Sequence, residues 1–147
     1  MDEAAEKNRL TGSCLCKGVS FEIRGTHDGV IACHCSQCRK SSGHFQAGVE
    51  IATDQLVVSS DDGLAWYRAS EIATRGFCST CGSSLFWKPY HGRYISVMAG
   101  ALDHATGLRL EKHIFVADKG DYYEIGDGVP QERTPPRHSA QGSNQST

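Results

Sequence analysis

Seven cysteines fall in three tight groups along this 147-residue chain: Cys14-Leu-Cys16, Cys33-His-Cys35-Ser-Gln-Cys38 and Cys78-Ser-Thr-Cys81. Thiols at C-x-C and C-x-x-C spacing suit a thiophilic metal, because sulfurs two or three residues apart can bind from one tight turn. A disulfide between C-x-C neighbours would be strained, and the count is odd. The opening "MDEAAEKNRL" has neither the cationic nor the apolar part of an export signal. Zinc ligation in a reducing compartment is therefore the expected use of these residues, and the cytoplasm the expected location.

Spacing alone leaves the partition of the cysteines open, but local chemistry separates them. In "FCSTCGSSLF", Gly82 follows the second thiol where the backbone must curl around sulfur, often with positive φ, and an apolar strand begins at once. This half-site needs two more thiolates, and Cys14 and Cys16 can supply them. Four thiolates on one zinc leave no open position, which is the pattern of a structural site. Such a metal would tie residue 14 to residue 81 and contribute directly to folding.

The middle group differs, since Arg39 and Lys40 follow Cys38. Cations beside thiols favour thiolate and attract anions. Cys33, Cys35 and Cys38 on a second zinc would leave its fourth position open to water or an incoming thiol, the pattern of a catalytic site. His34 has suitable chemistry to close that position, but a residue between two ligating cysteines tends to point away from their metal. Arg39 and Lys40 are candidates for holding a substrate carboxylate; the bland alternative is a solvated face. His27, His44, His91, His104 and His113 occur singly and read as surface or core. Trp66, Tyr67, Phe77, Phe86 and Trp87 sit on strand-like runs and read as core. The sequence has no Gly-rich phosphate loop and no nucleophile elbow.

The elements that must position these groups are short strands. "VSFEI" alternates with period two, and "QLVVS", "AWYR", "SLFW", "RYISVM" and "KHIFVA" are short β-rich runs separated by Gly, Asp, Ser and Asn clusters. One helical turn is expected near 36–42, ending at Gly43. The expected class is all-β, with many short antiparallel strands in a sandwich or barrel-like arrangement clamped by metal. Residues 1–9 and 131–147 are polar and expected to be disordered, leaving one domain at about 10–130. Hydrophobic content of 39%, charged content of 22% and a net charge of −2 argue against a dedicated nucleic-acid surface. No apolar run approaches the 18 or so residues of a membrane span.

"GSCLCKGVSFEI", "ACHCSQCRKSSG", "RGFCSTCGSSLF" and "MAGALDHATGL" followed by "KHIFV" resemble, in this order, the glutathione-dependent formaldehyde-activating enzyme (GFA) family, of which centromere protein V is a further member. The resemblance implies a zinc-clamped β-tent with little helix. It implies a structural zinc on Cys14, Cys16, Cys78 and Cys81, and a second zinc on Cys33, Cys35 and Cys38 at the presumed active site. It further implies a carbon–sulfur lyase reaction that joins glutathione and formaldehyde to S-hydroxymethylglutathione. A non-catalytic zinc-stabilised binding module and a thiol/zinc redox sensor are the competing expectations.

Overall fold

A computed structural model describes residues 9–134. These form β1 (Leu10–Ser13), β2 (Val19–Ile23), β3 (Val30–Cys33), α1 (Ser36–Ser42), β4 (Gln46–Ala52), β5 (Leu56–Asp61), β6 (Leu64–Arg68), β7 (Ala73–Cys78), β8 (Ser84–Pro89), β9 (Tyr94–Met98) and β10 (Leu110–Ile114). Three-residue 3-10 turns follow β4, β9 and β10. The all-β expectation holds, and α1 occupies the expected turn. It stops where Gly43 takes a left-handed φ of 88°, which a residue without Cβ adopts at little cost.

The strands make two open sheets rather than a barrel, one ordered β1-β2-β5 and the other β10-β3-β4-β9-β8-β7-β6. Most pairs are antiparallel, as short hairpin turns require. The exception is β10, which returns from far along the chain to pair in parallel with β3. Alternation in "VSFEI" turns Val19, Phe21 and Ile23 toward the second sheet. There Val49, Leu85, Phe86 and Val97 are fully buried, and the Phe21 and Phe86 rings meet edge to face with centroids 5.2 Å apart. Each such side chain contributes about 1.5–3 kcal/mol through burial. Of the five aromatics read as core, Phe86 is fully buried, Phe77 and Trp87 are half-buried, and Trp66 and Tyr67 are exposed. The last two lie on β6, the sheet edge, where one neighbouring strand is missing. Even so, Trp66 stacks on Phe86 at 5.8 Å.

Residues 1–8 and 135–147, most of the segments expected to be disordered, lie outside the described residues. At their inner borders the chain is held. Arg9 Nε donates to Glu22, and residues 130–133 run beside β10 through His113 N to Pro130 O (2.9 Å) and Glu132 N to His113 O (2.8 Å). Among the described residues no helix is long and apolar enough to cross a membrane.

Candidate metal centres

The turn between β1 and β2 carries Cys14 and Cys16; Cys78 closes β7 and Cys81 lies in the turn that leads to β8. Those turns belong to different sheets. In the first, Lys17 N donates to Cys14 O (3.1 Å) and Cys14 N to Val19 O (3.0 Å), with Lys17 in the left-handed region at φ 68°. In the second, Gly82 N donates to Cys78 O (2.7 Å), with the positive φ (80°) anticipated for Gly82. Cys14 and Cys78 belong to the apolar core between the sheets, while Cys16 reaches solvent. The four Sγ atoms lie within 4.8 Å of one another. Cys16 Sγ stands 3.6 Å from Cys14 Sγ and 3.7 Å from Cys78 Sγ. A tetrahedral zinc with Zn–S bonds of about 2.3 Å needs sulfurs roughly 3.8 Å apart, so the donor set fits that ion in number, chemistry and spacing. Polar hydrogens already point at these sulfurs. The Val19 amide reaches Cys14 Sγ at 3.3 Å, and the Ser83 hydroxyl, with neighbouring backbone amides, pulls Cys81 down to about 5.

The other three cysteines sit where β3 runs into α1. Cys33 closes β3, Cys35 caps α1 with its sulfur accepting from Cys38 N at 3.4 Å, and Cys38 lies one turn into the helix. Their Sγ atoms also lie within 4.8 Å of one another, and no fourth Cys, His, Asp or Glu donor joins them among the described residues. Cys35 and Cys38 are buried against Phe115, which holds a left-handed φ of 55° just after β10. A left-handed Phe is uncommon; this one is 5% exposed, and its carbonyl accepts from Asp118 N in the 3-10 turn that follows. Three soft donors crowded in one buried place fit a thiophilic metal better than three neutral thiols. Shared hydrogen bonds from Cys33 and Cys35 pull Cys38 well below the usual thiol range, and Arg75 adds to the effect.

Arg75 was not anticipated from the sequence. It lies on β7, 4% exposed, with Nη2 3.8 Å from Cys38 Sγ and Nη1 donating to Gln46 Oε1 at 2.6 Å. The available signal was phase, since Arg75 sits two residues after buried Ala73 and so shares its inward face. Of the anticipated cations, Arg39 Nε donates to the Asp118 carbonyl at 2.8 Å, and Lys40 is exposed.

His34 is fully buried and turned away from the thiols. Its Nδ1 lies 2.6 Å from Tyr123 Oη, its Nε2 lies 2.9 Å from His113 Nδ1, and His113 Nε2 lies 2.8 Å from Asp127 Oδ2. The Asp127 carboxylate can only accept, and with a neutral His113 this orders the protons along the chain. His113 Nε2–H donates to Asp127, His34 Nε2–H donates to His113, and the Tyr123 hydroxyl donates to His34. Both ring nitrogens of His34 are thus engaged, and neither is left for a metal. Burial, with His113 as the next cause, pushes His34 down to about 4, which keeps it neutral. The hydrogen bond from His113 holds Asp127 below the usual carboxylate range. His113, read as surface or core, is a buried member of this chain. Beside it His44 hydrogen-bonds Tyr122, which is 63% exposed.

The two open sheets and the two cysteine clusters define an all-β domain with two candidate metal centres, one four-sulfur and one three-sulfur. Residues 9–118 match the family described as the glutathione-dependent formaldehyde-activating enzyme, and the chain belongs to that family. A relative from Schizosaccharomyces pombe described as an uncharacterized lyase is 26% identical over 118 residues, 79% of this chain and 85% of its own length. A crystal structure of a Rhodobacter sphaeroides protein, a structural genomics target, matches with a TM-score of 0.56 at 22% identity, over 65% of this chain and 89% of that one. The latter is a likeness of fold.

Proposed function

We propose that this chain is a zinc-dependent carbon–sulfur lyase-type enzyme acting on adducts of glutathione, or another small thiol, with an aldehyde. Cys14, Cys16, Cys78 and Cys81 hold a structural zinc, and Cys33, Cys35 and Cys38 hold a second zinc at the active site. The observation that carries the reading is the three-sulfur cluster with no fourth protein donor beside it among the described residues. A non-catalytic module would need that site closed, and the one neighbouring histidine is committed elsewhere. Family membership supports the choice of glutathione and formaldehyde as the pair to test first.

Zinc bound there supplies Lewis acidity that favours the thiolate form of a visiting thiol near neutral pH. The three cysteines hold the metal in a buried place, and Phe115 covers Cys35 and Cys38 from water. In this reading Arg39 and Lys40, on the helix that starts within the cluster, would meet a carboxylate of the thiol substrate. In the addition itself the thiol sulfur attacks the aldehyde carbon and one C–S bond forms. The carbonyl π pair moves to oxygen, which takes up a proton equivalent to the one the thiol released.

The test is exchange NMR of glutathione and formaldehyde, comparing interconversion with S-hydroxymethylglutathione with and without protein. Acceleration that disappears in Cys35→Ser, while the four-cysteine zinc is retained, is the expected result. Unchanged exchange at micromolar enzyme, with both zincs bound, overturns the choice of this substrate pair. If glutathione and other small thiols also leave the visible spectrum of the cobalt-substituted protein unchanged, the thiol cosubstrate fails altogether.

A further inference from the structure

A buried guanidinium normally pairs with a carboxylate, because removing an unpaired charge from water costs several kcal/mol. Arg75 is 4% exposed, and among the described residues none of the ion pairs includes it. Its polar contacts are the neutral amide of Gln46 and the sulfur of Cys38, 2.6 and 3.8 Å away. Gln46 is itself buried at the start of β4 and reaches Ser84 Oγ at 3.4 Å, so the fork is held from behind. The arginine charge is therefore aimed at the three-cysteine cluster, and the cluster is where its counter-charge must reside.

We propose that Arg75 is the built-in counter-ion of the Cys33/Cys35/Cys38 centre and determines whether that centre retains a divalent metal. This rests on the reading that the cluster holds zinc. A divalent metal held by three thiolates carries a net charge of −1. A fixed positive charge 3.8 Å from one of those sulfurs offsets it, although it repels the free dication. With Arg75 the loaded centre is neutral overall; without it a lone negative charge is left at the cluster. Arginine suits the task because it stays protonated at any working pH and is less strongly hydrated than lysine.

The experiment counts metal, not turnover. Zinc per chain and its release to a chromophoric chelator are measured for the wild-type full chain and for Arg75→Met, Arg75→Lys and Gln46→Glu. Circular dichroism and retention of the four-cysteine zinc report the fold. Arg75→Met is expected to lower affinity at the three-cysteine site about 10–100-fold, the usual scale for a partner just outside the ligand shell, with the other zinc unaffected. Arg75→Lys, which keeps the charge, recovers most of the loss. Gln46→Glu leaves Arg75 in place but pairs its charge with a carboxylate, and is expected to weaken the same zinc about tenfold. It decides the question if Arg75→Met does not fold. Two zincs held as tightly in Arg75→Met as in wild type overturn the assignment, and so does a lysine variant as defective as the methionine. A wild-type protein that takes up only the four-cysteine zinc overturns the metal reading on which the assignment depends.

Discussion

The two cysteine clusters solve one problem, gathering thiolates, in opposite surroundings. The four-sulfur cluster joins the turns of two sheets and has one cysteine in water, with backbone amides and the Ser83 hydroxyl directed at its sulfurs. The three-sulfur cluster lies on a single strand-to-helix junction, is shielded by Phe115, and has a buried arginine in place of solvent. Local hydrogen bonds can carry negative charge where water helps. Where water is excluded, a full opposite charge is needed. The first arrangement suits a clamp, which must bridge distant segments, and the second a centre that has only three protein donors among the described residues.

The comparison is most easily broken by serine substitutions. In Cys78→Ser the clamp loses a ligand, and structural zinc binding of about 10–16 kcal/mol is comparable to a whole domain's stability. Loss of the cooperative thermal transition is expected, followed by circular dichroism. Cys35→Ser should keep that transition within several degrees and lose one zinc; if it unfolds as fully as Cys78→Ser, the division into clamp and site fails.

A smaller effect separates the clusters by ligand count. Chelator titration should proceed in two steps, with the three-sulfur zinc leaving first because fewer protein ligands hold it. A single step, or release of the four-sulfur zinc first, would reverse the assignment. His34→Asn probes the boundary of the three-sulfur site from behind. Breaking the Tyr123–His34–His113–Asp127 chain in a buried place should cost about 2–3 kcal/mol in urea unfolding, with two zincs still bound. Loss of the second zinc would instead make His34 a ligand.

The smallest effect concerns Glu22, remote from both clusters in the sheet that carries Cys14. Burial pushes its carboxyl up, but Arg24 and then Arg9 outweigh that and hold it below its ordinary value of 4.5. The stabilisation is therefore complete above 4.5 and fades as pH falls through the lowered native value. Both arginines are well exposed, so Glu22→Gln should lower stability only slightly at pH 7 and less in acid. Denaturation of the variant and wild type across that range separates this loss from the steeper one expected when thiolates protonate and metal leaves.

Much of this was legible in the residues. Period-two alternation in "VSFEI" marked β2, and Gly43 marked the end of α1. "KHIFVA" was legible only in part, since β10 ends at Ile114 and the chain then turns through Phe115 into a 3-10 turn. The strand β3 went unmarked, because a four-residue strand that ends in a cysteine cluster looks like the cluster's own turn. The parallel return of β10 onto β3 is a long-range pairing with no local signal, and it is what brings His113 to His34.

By itself the sequence determined the ligand inventory: which sulfurs are close enough along the chain to act together, and that His34 between two of them would face elsewhere. These are local properties, set by the reach of a few residues and the direction of neighbouring side chains. Only the tertiary structure decided what surrounds those sulfurs. Arg75 lies 37 positions from Cys38, and Tyr123 lies 89 from His34. What aligns them is the order of strands across two sheets. The charge of a buried site is set by whichever strands pack against it, and no short stretch of chain encodes that choice.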